Sequence, residues 1–125
     1  MDPTTVSRVL MFVIGLVHLI PVTGMLGTQR LTALYGIEVP EGDIVLLLQH
    51  RALGFALVAI VCFTSALNST WLGPARLIAT LSMVSFVALV VWQQPANTAL
   101  VKVAIIDGVL LILLGLSVVW SWVKN

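Results

Sequence analysis

Three consecutive polar residues interrupt a long apolar run in the first half of the chain. They are Gln49, His50 and Arg51, between "IVLLL" and "ALGFALVAIVCF". An imidazole can exchange protons near neutral pH, and a guanidinium binds a carboxylate or phosphate through paired hydrogen bonds. The triplet therefore marks a candidate polar site inside a hydrophobic segment.

Three further ionisable residues, His18, Lys102 and Asp107, stand within other apolar stretches. A charge inside the hydrocarbon of a membrane is costly, so such residues usually face the protein interior and form pairs. Asp107 has a short side chain and needs a cation or a proton. Arg51 is its expected partner, because the planar guanidinium can form two hydrogen bonds to one carboxylate. Lys102 can instead extend to the interface.

The composition places these residues in a membrane. Of the 125 residues, 60% are hydrophobic and 9% are charged, whereas a soluble domain carries about 25% charged residues. The net charge of +1 and the lack of Lys or Arg runs argue against a nucleic-acid partner. Cys62 is the only cysteine, which excludes an internal disulfide. We expect a single transmembrane domain, residues 1–125, whose outer surface contacts the lipid bilayer.

Four stretches are long enough to cross a bilayer, which takes about 20 apolar residues. They cover about residues 6–26, 44–67, 74–92 and 99–123. Helices are the expected form, because backbone groups in lipid need internal hydrogen bonds. The two links after the second and third spans are short, so neighbouring spans run antiparallel. The predicted fold is all-α, an integral membrane four-helix bundle.

The connection over residues 27–42 is longer than the other two. Leu31, Leu34 and Tyr35 have the i, i+3, i+4 spacing of a short amphipathic helix, which Gly36 would end. We expect this helix to lie at the membrane interface. A lid over a bound molecule is the alternative, since long loops often carry function.

The distribution of Lys and Arg in the flanks predicts the orientation. Arg8, Arg76 and Lys124 share a side with both termini, whereas Arg30 stands on the opposite side with three acidic residues. The positive-inside rule therefore predicts that both termini are cytoplasmic.

In this orientation the intramembrane ionisable residues fall in the outer half of the bilayer, the deeper ones roughly 9–12 Å down at 1.5 Å per residue. This shared depth predicts a polar pocket formed by His18, Gln49, His50, Arg51, Lys102 and Asp107. Successive helical residues differ by about 100° in direction, so the triplet cannot all point into one pocket.

A structural role is the alternative for this pocket. An Arg51–Asp107 pair could fix helix register, and His18 could be a hydrogen-bonded core residue. No HExxH motif, metal-spaced acid set or nucleophile–base pair is present, so we predict no metal site and leave catalysis open. Ser82 and Ser85 are typical of a small-residue packing stripe.

The segments "GLVHLIPVTGMLGTQRLTALYGI", "QHRALGF" and "VKVAIIDGV" resemble a group of small bacterial four-span inner-membrane proteins over nearly the whole chain. The architecture is more remotely similar to the DoxX-like membrane proteins, some of which are subunits of quinone-linked oxidoreductases. Members of the closer group sometimes carry the label phosphopantetheine adenylyltransferase. That label implies a soluble α/β enzyme with a His-x-Gly-His motif, which "VHLIPVTG" does not supply, so we reject it. The resemblance implies that His18, His50, Arg51 and Asp107 are recurrent polar positions.

Several functions are compatible with this pattern. The first is a pocket for a quinone, a lipid head group or another amphipathic small molecule. The alternatives are an accessory subunit of a larger membrane redox or transport complex and a small transporter. The chain could also form a homo-oligomer. The small multidrug resistance proteins also have four spans, but they depend on an acidic residue in the first span, where this chain has His18. Haem ligation by His18 and His50 ranks last.

Overall fold

The computed structural model describes residues 1–124 as five α-helices and two short 3₁₀-helices. The α-helices are α1 (Pro3–Leu19), α2 (Thr28–Tyr35), α3 (Asp43–Leu67), α4 (Leu72–Trp92) and α5 (Thr98–Lys124), and the 3₁₀-helices are Pro21–Leu26 and Ser69–Trp71. The helical segments long and apolar enough to cross a membrane are Pro3–Leu26, Asp43–Leu67, Ser69–Trp92 and Thr98–Lys124. The predicted all-α membrane four-helix bundle with a short helix in its first long loop is confirmed, and the chain is a multi-pass membrane protein.

Local sequence explains where the first two helices begin and end. The Asp2 carboxylate accepts a hydrogen bond from the backbone N–H of Thr5 at 3.2 Å, which caps α1. Pro3 follows at the first helical position, where its missing N–H costs nothing. Pro21 interrupts the α-helical hydrogen bonds, and the chain continues as a 3₁₀-helix. Gly36 ends α2 in the left-handed region at φ 65°.

Small residues let the four spans pack closely. A Cβ added at Gly15 would lie 2.7 Å from the ring of Phe63, so α1 approaches α3 only because this position lacks a side chain. Such close approach drives helix association in lipid, where the hydrophobic effect between helices is absent. The fully buried residues at the centre of the bundle are Ser7, Met11, Ile14, Ala52, Ala59, Cys62, Ser65, Ala75, Ala79 and Met83.

The outer surface of the spans is apolar. Large side chains such as Leu57, Leu81 and Ile112 are about two-thirds exposed on the outside of the bundle, at 65%, 60% and 65%. All four tryptophans lie near helix ends, with Trp92 at the opposite end of the bundle from the other three. This arrangement is typical of lipid-facing surfaces bounded by aromatic belts.

We call the end of the bundle that carries residues 1–5, 68–71 and 121–124 the terminal face. Here the Arg8 Nε donates a hydrogen bond to the carbonyl oxygen of Ala66 at 2.7 Å, and its Nη2 donates to that of Leu67 at 3.2 Å. These carbonyls end α3 and have no partner within the helix, so a cation is favourable beside them. Arg8 therefore ties the start of α1 to the end of α3.

We call the opposite end, with residues 20–42 and 93–97, the loop face. Asn97 holds α2 in place there, because its Nδ2 donates to the carbonyl oxygen of Tyr35 at 2.9 Å. The Asn97 Oδ1 also accepts from the backbone N–H of Leu100 at 3.0 Å, at the start of α5. Leu31 and Tyr35 are buried beneath α2. The short helix thus packs on the bundle rather than only lying at the interface.

Candidate functional site

Arg51 lies among three aromatic rings at the loop-face half of the bundle. Its Cζ is 5.1 Å from the ring centroid of Tyr35, 5.2 Å from that of Phe55 and 5.3 Å from that of Phe86. The three rings belong to α2, α3 and α4, and Phe55 follows Arg51 by one helical turn. Each distance is within the range of a cation–π contact, so the aromatic rings hold the guanidinium in place.

The expected two-hydrogen-bond pair between Arg51 and Asp107 is not formed. Within residues 1–124, no hydrogen bond or ion pair joins these two side chains. The reason is that the rings of Phe55 and Phe86 hold the guanidinium between α3 and α4, while Asp107 is buried on α5 with 8% exposure. The two residues nevertheless line the same cavity.

We call this space the inner cavity. Its volume is about 130 Å³. It lies at the junction of α1, α2, α3, α4 and α5 and is lined by Val17, His18, Ile20, Pro21, Leu34, Tyr35, Arg51, Phe55, Phe86, Val103, Ile106 and Asp107. The wall is mainly apolar, and its polar groups are a guanidinium, a carboxylate, an imidazole and the phenol of Tyr35. Small-molecule sites commonly have this composition.

His18 is 4% exposed and has a defined ring orientation. Its Nδ1 lies 2.9 Å from the carbonyl oxygen of Ile14, one turn earlier on α1. A carbonyl only accepts, so Nδ1 carries a hydrogen, and Nε2 is an acceptor when the ring is neutral. Nε2 lies 3.4 Å from the Oγ of Ser82 on α4, whose hydroxyl therefore donates to it. Ser82 has a polar role that its sequence context did not indicate.

The other predicted site residues lie outside the inner cavity. Gln49 is half-buried, and its Nε2 donates to the carbonyl oxygen of Met25 at 3.5 Å. His50 is exposed on the outer side of α3. Lys102 is exposed and lines a separate surface groove beside Asn97. The structure thus brings together His18, Arg51 and Asp107, and it separates the three members of the opening triplet, as the helical rotation requires.

A second and larger space lies between α3 and α4. This α3–α4 groove has a volume of about 660 Å³ and is lined by Arg51, Phe55, Ser82, Ser85, Phe86, Leu89, Val90, Gln93, Pro95, Ala96, Asn97 and Leu100. It extends from the middle of α4 to the loop face. Arg51, Phe55 and Phe86 line both spaces, so they form the wall between the groove and the inner cavity.

The helix α2 covers the inner cavity at the loop face. Leu34 and Tyr35 contribute to its wall. The Tyr35 hydroxyl is buried and has no hydrogen-bond partner among the described residues. A buried hydroxyl without a partner is costly and is usually satisfied by water or by a ligand. The amphipathic loop helix is therefore part of the candidate site.

The two histidines lie in different surroundings. His18 is buried with both ring nitrogens near protein oxygens, whereas His50 is exposed. Among residues 1–124, no group of three or more His, Cys, Asp or Glu side chains could hold a metal ion.

The comparison with known proteins leaves the family open. No family model, no curated protein and no solved structure matches the chain. What the site can do therefore follows from its geometry: a guanidinium held by aromatic rings, a carboxylate and an imidazole surround a small cavity within a membrane bundle.

Proposed function

We propose that the inner cavity binds the head group of an amphipathic small molecule taken from the bilayer, and that a quinone or quinol is the class that fits best. One observation carries this proposal. Arg51 and Asp107 line one cavity, and within residues 1–124 neither side chain forms a hydrogen bond to the protein. Within the membrane, charged groups are favourable only when they have partners. A carbonyl oxygen of a ligand could accept from the guanidinium, and a hydroxyl could donate to the carboxylate.

The size of the inner cavity favours a single ring. Its volume of about 130 Å³ is similar to that of an engineered apolar cavity of about 150 Å³ that binds benzene. A six-membered ring with small oxygen substituents matches this volume. A complete phospholipid head group with its glycerol does not, so a lipid would need to leave most of its head outside.

The apolar edge of the cavity supports lateral access from lipid. Ile20, Val103 and Ile106 line the cavity and are also 51%, 37% and 45% exposed on the outside of the bundle. They lie where the end of α1 meets α5, so the cavity wall is thin at this seam. An isoprenoid or alkyl tail can extend here between the helices into the surrounding acyl chains.

The aromatic walls also suit a ring. Phe55 and Phe86 can pack against a planar ligand in tilted or offset geometry, which adds about 0.5–1.5 kcal/mol for each well-placed pair. The hydroxyl of Tyr35, which has no partner among the described residues, would gain one from a ligand oxygen. A ring with oxygen at its edge therefore satisfies the polar groups and fills the apolar wall.

Binding of a decyl-substituted benzoquinone to the protein in lipid nanodiscs tests the proposal. A hydrogen bond to a charged group contributes about 1.5–3 kcal/mol, so Arg51→Gln should weaken binding by about 10- to 100-fold at about 1.4 kcal/mol per factor of ten. His50→Gln is the matched control, because His50 is the neighbouring residue on α3 but is exposed. Absence of binding to the wild type, or equal affinity in Arg51→Gln, would contradict the proposal.

We further propose that the host membrane is the bacterial inner membrane and that the terminal face is cytoplasmic. The clustering of Arg8, Arg76 and Lys124 toward that face supports this orientation. A reporter fused to the carboxyl terminus should then remain cytoplasmic, and Glu41→Cys on the loop face should react with an impermeant thiol reagent added to intact cells. Reaction only after the membrane is opened would reverse the orientation.

A further inference from the structure

One hydrogen bond connects the inner cavity with the α3–α4 groove. His18 lines the inner cavity and Ser82 lines the groove, and the Nε2 of His18 lies 3.4 Å from the Oγ of Ser82. Since Nδ1 donates to the carbonyl oxygen of Ile14, Nε2 is the nitrogen that can receive a further proton. The imidazole thus has its free lone pair directed to a hydroxyl at the end of an open groove.

The α3–α4 groove is suited to hold water. Its volume of about 660 Å³ is far larger than the ~30 Å³ that one water molecule occupies in the liquid. Its wall contains the hydroxyls of Ser82 and Ser85 and, at the loop face, the amides of Gln93 and Asn97. These groups offer hydrogen bonds to water from the loop face to the middle of α4.

The opposite side of His18 is closed by apolar packing. Met11 and Ile14 on α1 and Ala79 on α4 are fully buried. Met11 and Ile14 precede His18 and Ala79 precedes Ser82, so all three lie on the terminal-face side of the His18–Ser82 pair. These apolar side chains offer no hydrogen bonds to water, whereas the groove on the loop-face side of Ser82 is lined by hydroxyl and amide groups.

We propose that His18 exchanges protons with water at the loop face through Ser82, and that the α3–α4 groove is the route. A hydronium ion in the groove gives its proton to the Ser82 Oγ while the Ser82 hydroxyl proton passes to the His18 Nε2. The products are water, a neutral Ser82 hydroxyl and an imidazolium with hydrogen on both nitrogens. The reverse transfer returns the proton to the groove.

Three other polar groups line the cavity that His18 faces. They are Asp107 on α5, Arg51 on α3 and the Tyr35 hydroxyl on α2. A proton taken up by His18 is therefore held at the wall of the same cavity in which a bound ligand would lie. The inference deepens the proposed function by supplying protons to that ligand, although proton exchange at His18 itself requires no ligand.

The test uses a protein with a single histidine. The chain contains two histidines, and His50→Gln leaves only His18. This variant, labelled with ¹³C-histidine, is reconstituted in sealed vesicles, which are sorted by whether a carboxyl-terminal tag is inside or outside. A pH step is applied to the external buffer, and infrared difference spectroscopy follows the imidazole bands. We expect the bands of His18 to respond only in vesicles whose loop face is outside.

Variants of the two groove serines test the route. Ser82→Ala should lose the response, and Ser82→Thr, which keeps a hydroxyl, should retain it. Ser85→Ala is the matched control, because Ser85 lines the same groove but its Oγ donates to the backbone oxygen of Ser82 at 2.9 Å. Helicity and monodispersity of each variant exclude misfolding as the cause.

Three results would overturn the inference: a response to a pH step at the terminal face, no response from either face, or an unchanged response in Ser82→Ala. If quinone did not bind, an infrared response of His18 from the loop face would still support proton exchange. If quinone did bind, the lack of that response would still contradict proton exchange. The two proposals therefore fail independently.

Discussion

The attachment of Arg51 to its aromatic neighbours can be measured with a double-mutant cycle. Arg51→Met keeps an unbranched side chain but removes the guanidinium, and Phe86→Leu removes the ring on the facing helix α4. The Arg51 Cζ lies 5.3 Å from the Phe86 centroid. A cation–π contact contributes about 0.5–1 kcal/mol when exposed and about 2 kcal/mol or more when desolvated. Because this contact lies inside the bundle, we expect a coupling free energy of about 1–2 kcal/mol.

The assay is reversible unfolding of the wild type, the two single variants and the double variant in mixed micelles with increasing sodium dodecyl sulfate, followed by circular dichroism. The coupling is the difference between the double variant and the sum of the two single variants. Phe63→Leu provides the control cycle with Arg51→Met, since Phe63 packs against Phe12 at 5.3 Å between centroids and not against Arg51. That cycle should be additive within about 0.5 kcal/mol. A coupling to Phe86 no larger than that to Phe63 would refute the cation–π explanation.

Three further predictions concern helix packing and the start of α1. Gly15→Ala should destabilise the bundle by about 1–3 kcal/mol in the same unfolding assay, as overpacking does, because the new Cβ would lie 2.7 Å from the ring of Phe63. Gly54→Ala should leave stability unchanged or raise it, since a Cβ there meets nothing within 4 Å and alanine favours helix. Hydrogen bonds from the side chain and backbone of Thr5 hold the pKa of the Asp2 carboxyl below its usual 3.8. The cap therefore stabilises the start of α1 fully at pH values above 3.8, and this stabilisation is lost as pH falls through the lowered pKa. Amide protection factors at residues 4–6, which correct for the intrinsic pH dependence of exchange, should show this loss, and Asp2→Asn should abolish it. An unchanged stability in Gly15→Ala, or a persistent pH dependence in Asp2→Asn, would contradict these explanations.

The positions of the spans could be predicted because lipid imposes a simple requirement. A segment such as residues 44–67 is apolar for long enough to cross the bilayer, and the structure has α3 at Asp43–Leu67. The short helix was also visible from the spacing of Leu31 and Tyr35 and from the glycine that ends it. Its packing over the inner cavity was not visible, because that depends on the hydrogen bond from Asn97 in a distant loop.

The sequence predicts that His18, Arg51 and Asp107 lie at one level along the bundle, because residue count along a helix gives axial position, and in the structure all three line one cavity. The direction of each side chain could not be predicted. A span that is apolar on all sides has no polar face to indicate which side packs inward. The sequence alone does not decide which of the adjacent residues His50 and Arg51 faces the interior of the bundle. The structure turns Arg51 inward and leaves His50 exposed.

The aromatic neighbours of Arg51 were missed for a related reason. A phenylalanine contributes equally to the hydropathy of a span whether it faces lipid or lines a site. Phe55 follows Arg51 by four residues and so shares its helix face, which was a usable signal. Phe86 lies on a different helix, and no local spacing connects it to Arg51. Ser82 likewise has small neighbours typical of packing, and its bond to His18 depends on how α1 and α4 meet.

Identification of the molecule that copurifies with the protein in mild detergent tests the proposed ligand most directly. We expect mass spectrometry of the extract to find a single-ring, oxygen-substituted amphiphile such as a quinone in near-stoichiometric amount with the wild type and with His50→Gln. Arg51→Gln should lose it, because the guanidinium that lines the inner cavity would be gone. A stoichiometric haem, or only bulk phospholipid in equal proportion in the wild type and in Arg51→Gln, would contradict the proposed function.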